Sequence, residues 1–222
     1  MEGTKKMENV KTGKEKQANY ACEYKRLERA MKEEFYLEAV SIEYAIIEDR
    51  FIAFLHYAGV VSRQKDSLSI NSAVLPFIRI LLDKKNNEPI RVKDVSTKIE
   101  IIRKLLQLTG ERAVEIDNEV IRVAENKRKL YLGQKGYMAA LQKQIAITMD
   151  TFAALNVLGK LEPWRNERNQ LIHALLNKTM KSSEEARKDC AEKGKKLGRE
   201  VDDVLVKAFK KNNRIRKQFN IQ

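Results

Sequence analysis

The chain has 222 residues, with 44 Lys+Arg against 31 Asp+Glu, a formal net charge of +13 and 43% apolar residues. That apolar fraction excludes wholesale disorder, while three Pro and nine Gly are too few for the many tight turns of a sandwich or propeller. Cys22 and Cys190 lie too far apart for a disulfide framework or a cysteine zinc site, and both read as ordinary thiols. No metal or other cofactor is expected. No apolar run approaches the roughly 20 residues of a membrane span. The basic N-terminus lacks the apolar core of a secretory signal, so the cytoplasm is the expected location and no membrane partner is expected.

Residues 1–18 read as a flexible polar leader. From Tyr20 the pattern turns helical, through Tyr24, Leu27 and Met31. The stretch 35–60 then carries Leu37, Val40, Ile42, Tyr44, Ile46, Ile47, Phe51, Phe54 and Leu55, too densely for one narrow stripe. It is expected to be the most buried helix, with Glu43, Glu48, Asp49 and Arg50 as polar exceptions and Gly59 as its stop. In 60–94, VLPFIRILL (74–82) predicts a short helix at Pro76, and KKNNEPIRV (84–92) reads as a loop; this region could gate a cleft, but its composition does not decide that. Asp94 or Ser96 caps a helix through Val95, Ile99, Ile102, Leu105 and Leu106 that stops near Gly110. A second helix, 112–132, runs through Val114, Ile116, Val120, Val123 and Leu130 and is broken by Gly133 and Gly136.

A third, 137–158, is expected to end at Gly159, and Pro163 to open the next, 164–178. Ser182 with Glu185 matches a capping box for a last helix over 183–218. There is no internal repeat and no convincing strand alternation. The expected fold is all-α, an antiparallel helical bundle over 19–180 with a basic C-terminal helical extension over 181–222.

Charge is uneven along the chain. Residues 178–222 hold 14 Lys/Arg and 7 Asp/Glu, and 207–217 hold six bases and no acid: Lys207, Lys210, Lys211, Arg214, Arg216 and Lys217. Lys127, Arg128 and Lys129 form a second cluster. Fields of this sign concentrate polyanions, which makes RNA a candidate partner; the same excess also solubilises exposed helices. Only Phe209 and Phe219 interleave with the tail's charges, so the tail suits backbone phosphates without sequence readout.

One segment stands apart, Arg168-Asn169-Gln170-Leu171-Ile172-His173, which holds one of the chain's two histidines. Arg165, Asn169 and His173 recur every four residues and share a helix face. Trp164, Leu171 and Leu175 fall on another face, assigned to the core. Arg168 and His173 are five apart, about 140° of helical rotation, so they flank a groove more readily than they stack.

An Arg-Asn-x-x-x-His motif near the start of a late helix, preceded by a long apolar helix bearing acids (SIEYAIIEDRF, 41–51), resembles the HEPN superfamily. The resemblance covers about 20–180. It implies an all-α domain and a metal-independent endoribonuclease, with Arg168, Asn169 and His173 as the catalytic set. It also implies a homodimer whose two motifs face one composite cleft, and a toxin or antiviral defence setting with an antitoxin or other regulatory partner.

The residue types suit that chemistry. Histidine exchanges protons near neutral pH. Arginine binds phosphate oxygens through its planar fork and meets charge that grows in the transition state. Asn169 could orient the imidazole or bind phosphate or ribose. Attack by the 2′-OH would leave a 2′,3′-cyclic phosphate and spare DNA.

Each residue also has a plainer role. His173 could be an interface histidine, and Arg168 could pair with Glu43, Glu48 or Asp49. Glu48 and Asp49 could orient Arg168 or form a solvated pair. Arg165 adds a cation beside the motif. His56, among Phe54, Leu55 and Tyr57, reads as structural, and Trp164 as a core anchor rather than a base-stacking platform. A non-catalytic RNA-binding or protein-interaction module on the same bundle is the alternative function.

Overall fold

The computed structural model describes residues 13–64, 67–85, 88–123, 132–176, 183–207, 209 and 214–221. In chain order the elements are α1 (Gly13–Lys32), α2 (Tyr36–Tyr57), β1 (Val61–Gln64), β2 (Ser67–Ile70), α3 (Leu75–Leu81), α4 (Val95–Leu106), α5 (Gly110–Val123), α6 (Tyr137–Thr148), α7 (Thr151–Leu176), α8 (Glu184–Val201) and α9 (Ile215–Gln218). A short 3-10 turn, Leu132–Gln134, precedes α6, and a π-helical stretch, Asp202–Lys207, follows α8. Among the described residues the protein is all-α apart from one two-stranded hairpin.

Helix α2 is the axis of the molecule. Its most extensive packing is against α8, and α1, α4 and the π-helical stretch also lie on it. Ala39, Val40, Ile42, Ile46, Ile47, Phe51, Phe54 and Leu55 are buried along it, as the dense apolar pattern predicts. The helix closes at Gly59, whose φ of +80° lets the Gly59 and Val60 amides turn back to donate to the carbonyls of His56 and Leu55.

Several boundaries differ from expectation for local reasons. Helix α1 begins at Gly13, so part of the polar leader is helical; residues 1–12 lie outside the described residues. Thr109 rather than Gly110 marks the turn into α5, its hydroxyl accepting from the Arg112 amide at 3.2 Å. The break expected at Gly159 falls at Met149–Asp150 instead: Met149 is extended, and the Asp150 carboxylate accepts from the Ala153 amide at 2.9 Å. Helix α7 then runs unbroken through Gly159 and Pro163. The residue four before Pro163, whose carbonyl the ring would crowd, is the glycine itself.

Ser183, one residue after the expected cap, is the N-cap of α8 and accepts from the Ala186 amide; Ser182 lies outside the described residues. The last helix is not continuous to 218, because it loosens into the π-helical stretch after Val201. Its apolar side (Leu197, Val201, Leu205, Phe209, Ile215, Phe219, Ile221) joins the main core.

Two buried polar links fix the far end of the bundle. The Asp117 carboxylate of α5 accepts from the Met138 and Ala139 amides at 3.0 Å each, satisfying open N–H groups at the start of α6. Tyr137, fully buried, donates to the Ala58 carbonyl at 2.8 Å and meets Phe77 and Phe219 edge-on. The hairpin pairs Val61 with Ile70 and Gln64 with Ser67. No helix among the described residues is long and apolar enough to cross a membrane.

Candidate functional site

The site is built where α7 crosses α2, and a tryptophan fixes the crossing. Trp164 is buried and donates from Nε1 to the Cys190 carbonyl of α8 at 2.9 Å, so it is a core anchor. A Cβ on Gly194 would lie 2.7 Å from its Cζ2 atom, so only glycine lets α8 come this close. Tyr44 of α2 lies beside the indole, with ring centroids 6.4 Å apart.

One turn beyond Trp164, the Arg168 guanidinium sits over the other part of this aromatic pair, with Cζ 4.3 Å from the Tyr44 centroid. This distance is within cation–π range. Arg168 also donates from Nη1 to Asn169 Oδ1 at 3.0 Å, while its Nε is buried with no hydrogen-bond partner among the described residues. Among the described residues no carboxylate pairs with it. Tyr44 was not singled out by sequence. Its residue type alone does not distinguish a cation platform from another half-buried aromatic on a crowded helix.

The acids expected around Arg168 are held elsewhere. Glu48 accepts from Lys98 at 2.8 Å, and Lys98, fully buried on α4, also donates to the Lys93 carbonyl at 2.6 Å. Asp49 accepts from the Tyr20 hydroxyl. Glu167, next to Arg168 in sequence, pairs with Lys193 of α8 at 3.0 Å. Glu43 is buried against α8, and among the described residues neither of its oxygens has a hydrogen-bond partner. Burial pushes its carboxyl up to about 7, although Lys195 and Arg199 pull the other way. Burial and the Glu48 carboxylate raise the Tyr44 phenol above its ordinary range, opposed by Arg168 and Arg165.

His173 stands exposed on α7, one turn past Asn169; Arg165 and Asn169 are half-buried on the same helix. Asn169 Oδ1 accepts from Arg168, and among the described residues no hydrogen bond joins Asn169 to the imidazole. His173 faces solvent, where it can reach a ligand or a second protein chain.

The basic tail divides into three parts. Lys207 is engaged by Asp202 at 3.2 Å and Asp203 at 2.7 Å. Lys210 and Lys211, like Lys127, Arg128 and Lys129, lie outside the described residues. Arg214 and Lys217 are exposed and Arg216 is half-buried; among the described residues none of the three pairs with a carboxylate. Arg216 Nη1 contacts the imidazole of His56, 2.9 Å from Nδ1.

Cys22 is exposed, and burial pushes Cys190 up to about 11. Among the described residues no group of three or more His, Cys, Asp or Glu is placed to hold a metal ion. Compared with protein-family models, with curated proteins and with solved structures, the chain has no match to any of them.

Proposed function

We propose that the chain is a metal-independent endoribonuclease of the HEPN kind, cleaving single-stranded RNA by 2′-OH attack. The observation that carries this reading is the state of Arg168. Its guanidinium is held by an aromatic face and an amide oxygen, with no carboxylate of the described chain to neutralise it. Such a cation keeps its charge for a phosphate that arrives from outside. His173, exposed on the same helix, supplies the proton-transfer group.

One chain brings one histidine to this face, whereas deprotonating the 2′-OH and protonating the leaving 5′-oxygen call for two proton-transfer groups. A homodimer that apposes two α7 faces meets that need, with two arginines and two histidines in one cleft. The cellular setting that accompanies this reading is a cytoplasmic toxin or antiviral effector restrained by an antitoxin or other regulator.

The test is cleavage of labelled single-stranded RNA in EDTA. Wild type is expected to yield 2′,3′-cyclic phosphate ends, and Arg168→Ala and His173→Ala to lose about 10²–10⁴ in rate with folding intact. Cleavage by His173→Ala at the wild-type rate overturns the proposal.

A second reading, an RNA-binding module without catalysis, is favoured by a different observation. Arg214, Arg216 and Lys217 form a patch without acidic partners among the described residues. It predicts salt-sensitive RNA binding that survives His173→Ala and yields no product.

A further inference from the structure

A cavity of about 440 Å³ opens where the end of α2 meets the C-terminal segment, and its walls include His56, Arg214, Arg216, Lys217 and Asn220. We propose that this cavity is a binding site for a phosphate group, separate from the Arg168–His173 face and independent of whether that face is catalytic.

Among the described residues the lining carries three cations, a histidine and an amide, and no carboxylate. The acids nearest in sequence are already committed: Asp202 to Arg50 at 3.0 Å and to Lys207, and Asp203 to Lys207. Like charges crowded around a cavity repel one another, so an anion entering it removes an unfavourable term as well as adding a favourable one. Burial lowers the pKa of Arg216, a sign that its charge is held where water only partly solvates it.

The walls are fixed in advance. Ile215, Phe219 and Ile221 are buried in the core, and the basic residues between them are thereby held at the cavity. Arg216 donates from Nε to the Ile221 carbonyl at 3.3 Å and contacts His56 through Nη1. This pins one edge of the guanidinium and leaves other N–H groups of its five for a ligand. Ile221 in turn rests on Gly59, where a Cβ would lie 3.0 Å from its Cδ1. Donors set in place beforehand spend little entropy on binding. A phosphate oxyanion, with several acceptor oxygens and up to two charges, matches such a set of donors better than a single carboxylate does.

The cavity is also distinct in place. Tyr44 and His56 are twelve positions apart on α2, about 18 Å along the helix at roughly 1.5 Å per residue.

The test is calorimetric titration of the full chain at low salt with inorganic phosphate, with adenosine 5′-monophosphate and with a 2′-O-methyl RNA oligonucleotide that cannot be cleaved. Wild type is expected to bind phosphate. The exposed double variant Arg214→Gln/Lys217→Gln, which leaves the core untouched, is expected to bind about tenfold or more weakly. If the oligonucleotide weakens in parallel in the double variant, the phosphate belongs to a nucleic acid strand. If only the small ligands weaken, it is a free phosphate or mononucleotide, and the site stands in either case. Wild type that does not bind phosphate, or a double variant that binds it unchanged, overturns the proposal.

Discussion

Lys98 and Arg168 both bring a positive charge to α2, from α4 and from α7, and the fold treats them in opposite ways. Lys98 is fully buried, and its ammonium is shared between the Glu48 carboxylate and the Lys93 carbonyl. Arg168 meets the same helix one turn earlier, at Tyr44, and receives a ring face and an amide oxygen. Neither of those carries a formal negative charge. A fully buried charge needs an opposite charge and good hydrogen bonds, because desolvation otherwise dominates. A half-buried guanidinium, more weakly hydrated and partly wet, can be held by a quadrupole and a dipole. Lys98 is thus a closed structural device, whereas Arg168 can still meet an external anion.

The largest effect should come from opening the closed device at its acidic end. Glu48→Gln leaves an ammonium buried with no counter-charge and is expected to destabilise the protein by about 3–5 kcal/mol in urea unfolding. Lys98→Met removes the buried charge and leaves Glu48, whose side chain is 31% exposed, to be hydrated, so its loss should be well below that of Glu48→Gln. Combining the two should recover most of the stability lost in Glu48→Gln alone. Equal losses from the two single variants would break the comparison. A cleavage defect in the refolded double variant would point instead to Glu48 acting on Arg168.

Glu43 sharpens the contrast, since it sits five residues before Glu48 on α2 and is buried with no hydrogen-bond partner among the described residues. Burial raises its carboxyl from 4.5 to about 7. Between those values the unfolded chain has released this proton and the folded chain has kept it, so stability attributable to Glu43 falls as pH rises through the window. It is fully present below the lower value and gone above the upper one. The difference between wild type and Glu43→Gln should therefore move by about 3 kcal/mol from pH 4.5 to 7.5, against the wild type at the higher pH. A difference that stays flat with pH overturns this.

The course of α2 was legible because burial on nearly every side writes itself as a dense apolar run. The all-α class followed from the same periodicity. The hairpin was not legible: VSRQ and SLSI are four residues each with few β-branched or aromatic side chains, too short for the alternation in SLSI to stand out, and β1 packs on α2, remote from any signal in its own residues. Gly159 and Pro163 misled for the converse reason, since two local helix breakers together are tolerated where α7 is held by Trp164 and Leu171 in the core. Within the candidate site, Arg168, Asn169 and His173 were found by residue type and spacing. Tyr44, Lys98 and the His56–Arg216 contact were not, because each pairs residues remote in sequence. The acids Glu48 and Asp49 could be named as neighbours of the site, but only tertiary geometry decides which base they serve.

The support beneath Arg168 can be disturbed without touching a charge. Gly194→Ala places a methyl 2.7 Å from the Trp164 ring, and the buried, hydrogen-bonded indole has little room to yield. Overpacking of this kind costs about 1–3 kcal/mol, offset by up to about 1 kcal/mol because alanine favours helix. A net loss of about 1–2 kcal/mol is expected, with a fall in RNA cleavage as the indole presses on Tyr44. A rise in melting temperature would mean that α8 shifts freely and that the Trp164–Tyr44 support is soft.

The smallest change isolates the aromatic hold itself. Tyr44→Phe keeps the ring and removes the hydroxyl, so Arg168 retains its platform and both stability and cleavage should stay close to wild type. Tyr44→Leu keeps most of the apolar volume and removes the quadrupole, a loss of about 0.5–1 kcal/mol for a partly exposed pair. Freed from the ring, the guanidinium would be less ordered, so the rate at saturating RNA should fall further for Leu than for Phe. If Tyr44→Phe loses as much rate as Tyr44→Leu, the phenol rather than the ring face is what Arg168 or the substrate uses. The contrast between a paired Lys98 and an aromatic-held Arg168 would then have to be redrawn around that hydroxyl.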